Sequence, residues 1–560
     1  MFSPSDRAKL EQYVTDCDGD IFAVKNLEGI VGAVYARYSR ASTGFRETLL
    51  KEFVEAGQID PAKAEALIER VLIAFGDDSV GELEGAHVSF EDISNLATKE
   101  IEDRRIGGSP IEKSTRYVLY DQPGPDGRFR YHRDPAVMAS EHAAAYEQTM
   151  DFIFKTYAEL VEPMREYYRG LKPPEAAEYD INGDGKKERL ADCTTPTDEK
   201  AFRRTYEMDL RTKACDALRY LLPTATTTNV GTFGNGRFFQ NVLSHCYTSD
   251  LPEARALAAR LQIQLNKIIP RYVQRAKRQE YQVTVRAQAR ALAGELFRAV
   301  KPRPEKTVTL IDGGEEAIAD RLAREGLTGS TVGAALRDEE DVLTLSCMLY
   351  PHLAHPLRQI QEVVRALPAE KRQAIVAAYV GDRQTRRDRP GRAFEAGYPY
   401  TFDCLTDFGT YKDLMRHRIT TQLRQAFTPT HGFVVPPDLE AAGFAHRALA
   451  CRDRAVALYE RLKPEFPEQA AYATLHGSLV RWVMGMNDRE AQHLIELRTG
   501  PQGHPSYRKV GQQMHEAIAA RSPWRAEVIK FCDRNDYFWS RGDSEAAQRV
   551  KEKKLESLKA

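Results

Sequence analysis

Apolar positions fall at helical spacing through the start of the chain. Ile30, Val31, Ala33, Val34 and Tyr35, then Phe45, Leu49, Leu50 and Phe53, recur at three- and four-residue steps, and 65–75 repeat the pattern. That period puts apolar side chains on one stripe and predicts helices over the first ~75 residues. A short extended segment is expected around His87 to Phe90. Asp92 to Arg105 then reads as a helix that delivers Arg104 at its end. Tyr117 to Tyr120 predicts a strand, closed by the turn residues Pro123-Gly124-Pro125-Asp126-Gly127. Glu141 to Tyr168 predicts a long amphipathic helix, and helices resume from Phe202. The Gly-rich run Gly231 to Gly236 reads as a turn. Lys301-Pro302-Arg303-Pro304 marks a linker, and Val308 to Ile311 opens a second unit as a strand. The tail from Pro523 to Ala560 ends Lys/Glu-rich, as an exposed helix does.

Composition narrows the class. At 560 residues, 42% hydrophobic and 29% charged, the chain is that of a globular protein with two large domains or several smaller ones. Lys+Arg of 80 against Asp+Glu of 81 leaves no net field to attract nucleic acid or an anionic membrane. The basic run from Arg383 to Arg392 reads as a solvated loop. No apolar run approaches the ~20 residues that span a bilayer, and no secretion signal is visible. Eight Cys, at 17, 193, 215, 246, 347, 404, 451 and 532, show no CxxC spacing. This points to reduced thiols in the cytoplasm, and away from a disulfide framework or a zinc site.

The candidate chemistry starts at Arg104–Tyr117. An Arg offers a rigid fork of donors for a phosphate, a Ser hydroxyl adds a contact, and a nearby carboxylate can orient the Arg. Glu112, Ser114, Arg116 and Tyr117 therefore read as an anion pocket for a small phosphorylated ligand, or as a solvated polar loop. Asp180-Ile181-Asn182-Gly183-Asp184-Gly185 opens like a calcium loop, but position 12 is Ala191, so a polar surface turn is the other reading. His352 and His355 lack a third ligand at sensible spacing. There is no phosphate-binding P-loop, no dinucleotide fingerprint after a strand and no Gly-x-Ser-x-Gly elbow.

The same segment resembles the flavin-dependent thymidylate synthases (ThyX family), whose motif is RHRxxSxNExSxRY. The chain keeps Arg104, Ser109, Glu112, Ser114, Arg116 and Tyr117, and departs with Arg105, Ile106 and Ile111. Downstream, Arg219 before Leu222-Pro223, then Asn235-Gly236-Arg237 and Asn241, match further family positions; the family's Arg eleven residues after the first Asn is Cys246. The second half resembles the family again with the losses reversed. Arg416-His417-Arg418 is intact, but Thr421, Leu423, Arg424, Ala426, Thr428 and Pro429 replace the rest of the motif. Asn487-Asp488-Arg489 follows, and Arg498 stands eleven residues after Asn487. Phe90 and Phe402 each precede the first motif position by 14 residues. The first half is longer by about 60 residues, so this is a duplication at domain scale.

The resemblance implies an α+β fold: two tandem ThyX-like domains, helix-rich, each with a small mainly antiparallel sheet. Expected bounds are 1–300, with an inserted segment around 170–200, then 301–522, then a tail over 523–560. It implies methylation of dUMP to dTMP with methylenetetrahydrofolate, FAD and NADPH, with the cofactor carrying the hard chemistry. Family members are homotetramers whose sites are shared between chains, the two ends of the motif serving different sites. By that pattern the first half keeps a nucleotide set (Ser109, Glu112, Ser114, Arg116, Tyr117, Arg219). The second keeps a flavin and uracil set (Arg416, His417, Arg418, Asn487, Arg489, Arg498), with Arg416 and Arg498 the catalytic candidates. Asn235, Arg237 and Asn241 are further cofactor candidates. A homodimer of tandem chains is the expected assembly. A flavin enzyme acting on another pyrimidine nucleotide, and a nucleotide-binding protein without turnover, are the alternatives.

Overall fold

The computed structural model describes residues 2–27, 30–39, 41–55, 58–59, 80–182, 186–280, 282–284, 287, 306–311, 329–349, 357–383, 392–395 and 400–538. The helical segment expected over 65–75, the linker 301–304, His352, His355 and most of the 383–392 run lie outside them, as does the tail beyond 538.

The two halves repeat one plan. In the first, β1 (Gly85–Ser94) leads into α1 (Asn95–Glu102) and β2 (Gly108–Glu112). Then come α2 (Ala143–Leu171), α3 (Pro196–Leu218), β3 (Thr227–Asn235), α4 (Gly236–Thr248) and α5 (Pro252–Leu265). In the second, an extra strand β4 (Val308–Ile311) precedes β5 (Tyr400–Asp407), α6 (Phe408–Leu414) and β6 (Thr421–Arg424). These are followed by α7 (Ala445–Leu462), β7 (Leu479–Met486), α8 (Asp488–Arg498) and α9 (Pro505–Arg521). The sheets are antiparallel, ordered β1-β3-β2 and β4-β5-β7-β6. This is the α+β tandem expected from the sequence. The strand at Val308, the helices at 30–38 and 143–171, and the extended segment around His87 are where the pattern put them.

The halves meet about an approximate two-fold axis. Pro223 and Leu475 form an antiparallel bridge, flanked by Thr224 N–H to Thr474 O (2.8 Å) and His476 N–H to Leu222 O (2.8 Å). Helices α2 and α7 also cross this axis antiparallel. His142 meets Glu465 (3.0 Å), the Arg454 guanidinium lies 3.8 Å from the Phe152 ring centre, and Arg447 meets Glu159 (2.5 Å). One apolar core runs through both halves, from Leu10 to Ile529. Helices Gly329–Leu349, Leu357–Arg365 and Ala369–Val380 carry a smaller core of their own, closed by Phe394 and Val528.

Equivalent positions can be read from caps and register. Ser94 and Asp407 each cap the helix after the first sheet strand, accepting from Ala97 N and Thr410 N, and Asn235 and Asn487 cap α4 and α8 in the same way. Phe90 pairs with Val230, whereas Phe402 pairs with Met484, two residues further along the equivalent strand. The equal 14-residue spacings are thus a coincidence: a one-residue bulge at Asp92 (φ 53°) in β1 and a loop one residue longer before β2 together add the two residues of offset. The extra segment of the first half runs through 172–218 and includes α3, where the second half has 463–468.

Two local expectations are corrected. Tyr117–Tyr120 is not a strand: Tyr117 and Val118 donate to Ser114 O in a turn, and the strand is Gly108–Glu112. Gly231–Gly236 is not a turn but the end of β3 and the start of α4. A Cβ on Gly108 or Gly234 would run into the Phe238 ring, so the glycines are there for close packing.

Candidate functional site

Strand β2 and the loop after it bring the first-half motif to the seam. Glu112 ends β2 and turns inward, with Lys412 (2.9 Å) from the second half on one oxygen and Lys99 (3.3 Å) on the other. Burial alone would push its carboxyl up; the two lysines outweigh that and hold it low. Glu112 therefore anchors β2 to both halves. Ser114 accepts from Arg116 N–H (3.3 Å) and shapes the turn that presents Arg116. Tyr117 follows, partly exposed, and Ser109 Oγ accepts from Arg418 (2.8 Å) across the seam.

Arg116 forks onto Asp216 at 2.6 and 2.7 Å, and its third nitrogen donates to Tyr507 Oη (3.3 Å) and Gln502 O (3.2 Å) of the second half. Arg219, 2% exposed, donates from Nη1 to Asp413 Oδ2 (3.0 Å), and Arg416 approaches the other Asp413 oxygen at 3.9 Å. Against the burial that would raise Asp413, Arg219, Arg116 and Arg416 hold it well below the usual carboxylate range. Arg116 does the same for Asp216. Nε and Nη2 of Arg219 have no hydrogen-bonding partner among the described residues.

The second-half set sits on the loop after α6 and on α8. Arg498 Nε donates to His417 Nε2 (2.9 Å), and His417 Nδ1 meets Glu490 Oε1 (2.7 Å). Burial, then Arg498, Arg416 and Arg105, push His417 far below its ordinary value, so the ring is neutral. The Tyr507 ring stands 5.8 Å from the guanidinium carbons of both Arg116 and Arg498. Arg116, Arg219, Arg416 and Arg498, two from each half, thus converge on Asp413 and Tyr507.

The equivalent location across the axis is different. Counting from matched caps, bridges and strand ends, Arg116 corresponds to Thr428, Arg219 to Ala471 and Arg498 to Cys246. Arg416 corresponds to Asp103 counted from the helix or Arg104 counted from the strand, because the first-half loop is one residue longer. There Glu100 binds His245 (3.1 Å) and Arg424 (2.5 Å), and Arg104 meets His245 Nδ1 (2.7 Å). Burial would raise Glu100, but His245 and Arg424 hold it at about 2. Arg105 crosses the seam to the carbonyls of Met415 (3.4 Å) and Thr420 (3.2 Å), mirroring Arg418, while Ile106 is 82% exposed.

The remaining candidates are less central. Asn235 and Asn487 are helix caps, Arg237 pairs with Glu82 (2.5 Å), Asn241 is exposed on α4 and Arg489 is half-buried in the first turn of α8. Asp180 and Asn182 sit beside a Tyr179–Glu188 bridge, where Glu188 accepts from Ile181 N–H and the Asn182 amide (both 2.9 Å); Asp184 lies outside the described residues. No group of three metal-ligating side chains occurs among the described residues. None of the described helices is long and apolar enough to cross a membrane, and all eight cysteines are free.

Sequence reasoning missed Asp216, Asp413, Glu490 and Tyr507. The first two had a signal: each stands three residues before a site arginine, one helical turn away. Glu490 is hidden inside an Asn-x-x-Glu capping pattern. Nothing local marks Tyr507.

The family model described as thymidylate synthase complementing protein matches residues 28–271 and again 359–524. The chain is 34% identical over 553 residues to a UPF0159 protein of Chlamydia muridarum, covering 95% of this chain and 96% of the relative. It is 30% identical over 524 residues to a UPF0159 protein of Thermoplasma acidophilum, covering 93% and 98%. A twice-matched model, a repeated strand–helix plan and a two-fold seam agree: the chain belongs to the thymidylate synthase complementing (Thy1, flavin-dependent thymidylate synthase) family, as a tandem duplication of its domain.

Proposed function

We propose that the protein is a flavin-dependent thymidylate synthase that converts dUMP to dTMP with methylenetetrahydrofolate and NADPH, at one composite site per chain. The observation that carries this reading is the convergence of Arg116 and Arg219 with Arg416 and Arg498, set against Thr428, Ala471 and Cys246 at the equivalent positions. Two half-sets that decayed in opposite places leave one arginine-rich site and one closed by Glu100, His245 and Arg424.

The donor set fits the ligands. Arg116 and Arg219, with Ser109, Ser114 and Tyr117, would hold the nucleotide; the unmatched nitrogens of Arg219 suit a phosphate oxygen. Arg416, His417, Arg418 and Arg498 would hold FAD and the uracil edge, where fixed positive charge stabilises developing negative charge. Turning a methylene into a methyl group takes two electrons, which bound flavin relays from NADPH, and the hydrogen at uracil C5 leaves as a proton. Glu112 supports this set from beneath.

The assembly proposed is a homodimer. Ile106 and Ile419 (82% and 57% exposed) are equivalent residues, as are Ile111 and Leu423 (74% and 67%). They lie on the edge strands β2 and β6 and the loops before them, on both sides of the axis, so the apolar surface is itself two-fold. Exposed apolar edges invite pairing, and a second copy of the chain satisfies both ends at once.

Rescue of thymidine auxotrophy in a strain lacking its own synthase tests the function. Growth that depends on Arg116 and Arg498, together with a yellow purified protein, is the expected result. A colourless protein that binds dUMP and fails to rescue would leave a binding module in its place.

A further inference from the structure

Among the four converging arginines, Arg498 is the one hydrogen-bonded to a histidine. Its Nε donates to His417 Nε2 (2.9 Å), so that nitrogen carries a lone pair and the ring proton sits on Nδ1. Nδ1 in turn faces Glu490 Oε1 at 2.7 Å. Glu490 and His417 are 6% and 4% exposed. The main chain at Glu490 is fixed by the α8 cap, its N–H donating to Asn487 Oδ1 (3.0 Å). Glu490 and Arg498 share α8, while His417 reaches in from the loop after α6. The chain Glu490–His417–Arg498 therefore ties the loop that carries Arg416 and Arg418 to the helix that carries Arg498.

We propose that Glu490 is a positioning residue for Arg498. By accepting the Nδ1 proton it sets the His417 tautomer, and His417 then takes up Nε of Arg498. That turns the two Nη groups toward Tyr507 and the pocket. Without the carboxylate, His417 can turn its proton to Nε2, and two donors would face each other. The guanidinium must then rotate. The inference rests on the reading of Arg498 as a group that acts on the substrate.

The test uses the full-length, flavin-loaded protein and follows turnover, dUMP affinity and flavin content in Glu490→Leu, Glu490→Gln, Arg498→Ala and the double variant Glu490→Leu/Arg498→Ala. Misplacing a catalytic group by about 1 Å costs on the order of 100-fold in rate, and that fall in kcat is expected for Glu490→Leu. The phosphate contacts of Arg116 and Arg219 are untouched, so dUMP affinity falls far less than the rate, and flavin, still gripped by Arg416 and Arg418, is lost only in part. Glu490→Gln keeps an acceptor for Nδ1–H and recovers most of the rate. In the Arg498→Ala background, Glu490→Leu adds no further loss, which a merely structural role would not reproduce. A further loss in that background, or full turnover in Glu490→Leu while Arg498→Ala is dead, overturns the relay alone. Full turnover in Arg498→Ala overturns the relay together with the catalytic reading of Arg498.

Discussion

Pro223 and Leu475 hold the same place in the two halves and face each other across one antiparallel bridge. The axis through that bridge relates the two copies of the motif, so the losses at Thr428, Ala471 and Cys246 can be set against what the other half kept. It places Arg219 and Ala471 four residues before the bridge, in the equivalent 3-10 turns of the two halves, one a buried cation and the other a methyl group.

Nucleotide binding is expected to depend on Arg116. Removing one charged partner of a buried phosphate costs about 2–5 kcal/mol. Arg116→Ala also strands Asp216, which loses both of its close contacts. The double variant Arg116→Ala/Asp216→Asn should regain much of the lost thermal stability and none of the dUMP affinity. Calorimetry showing unchanged affinity in either variant would place the phosphate elsewhere.

Flavin retention should be asymmetric between the halves. Arg418→Ala is expected to lose most bound FAD with little change in the melting temperature of the flavin-free protein, since its bond to Ser109 is a surface contact. Arg105→Ala, at the position that mirrors Arg418, should leave flavin content nearly unchanged, as should Ile106→Ala. Equal loss of flavin absorbance in Arg418→Ala and Arg105→Ala would contradict the division of labour.

Acid should destabilise the protein through buried neutral histidines. Burial, followed by nearby cations, depresses His417 and His476 far below 6.5 and His504 to about 3. The unfolded chain takes up these protons near pH 6.5, and the folded chain resists. Stability is therefore complete above that pH and falls as pH drops toward 3, by ~1.4 kcal/mol per pH unit for each histidine. His504→Gln should reduce the slope by one proton in urea melts between pH 6 and 4. An unchanged slope would mean that His504 is already solvated.

The dimer and its stoichiometry can be read together. Light scattering with flavin absorbance should give two chains carrying one FAD and one dUMP each. Ile111→Asp combined with Leu423→Asp should yield monomers that still fold. Two flavins per chain would show that the site around Glu100 is alive as well.

The periodic helices were legible because their burial follows a fixed period, whereas of the first sheet only the middle of β1 was. Strand β2 was not: Gly-Ser-Pro-Ile-Glu contains a glycine and a proline, and it survives as a strand because it lies at a sheet edge. Tyr117–Tyr120 failed for the opposite reason. Its apolar side chains pack on the core from a loop, and no ladder accompanies them. The arginines of the site were visible as motif letters. Their partners were not, since Tyr507 stands 391 residues from the Arg116 it contacts.

Glu112 and Arg424 occupy equivalent strand ends, each reaching into the opposite half, one for Lys412 and the other for Glu100. In an assembly of identical chains one codon would have to serve both places, and a carboxylate could never be matched by a guanidinium. Fusion removes that constraint. It also makes the arrangement irreversible in practice, because neither half can be replaced by a second copy of the other. Inheritance has turned a symmetric contact into a lock with a distinct key, and the two halves can now be altered separately but only kept together.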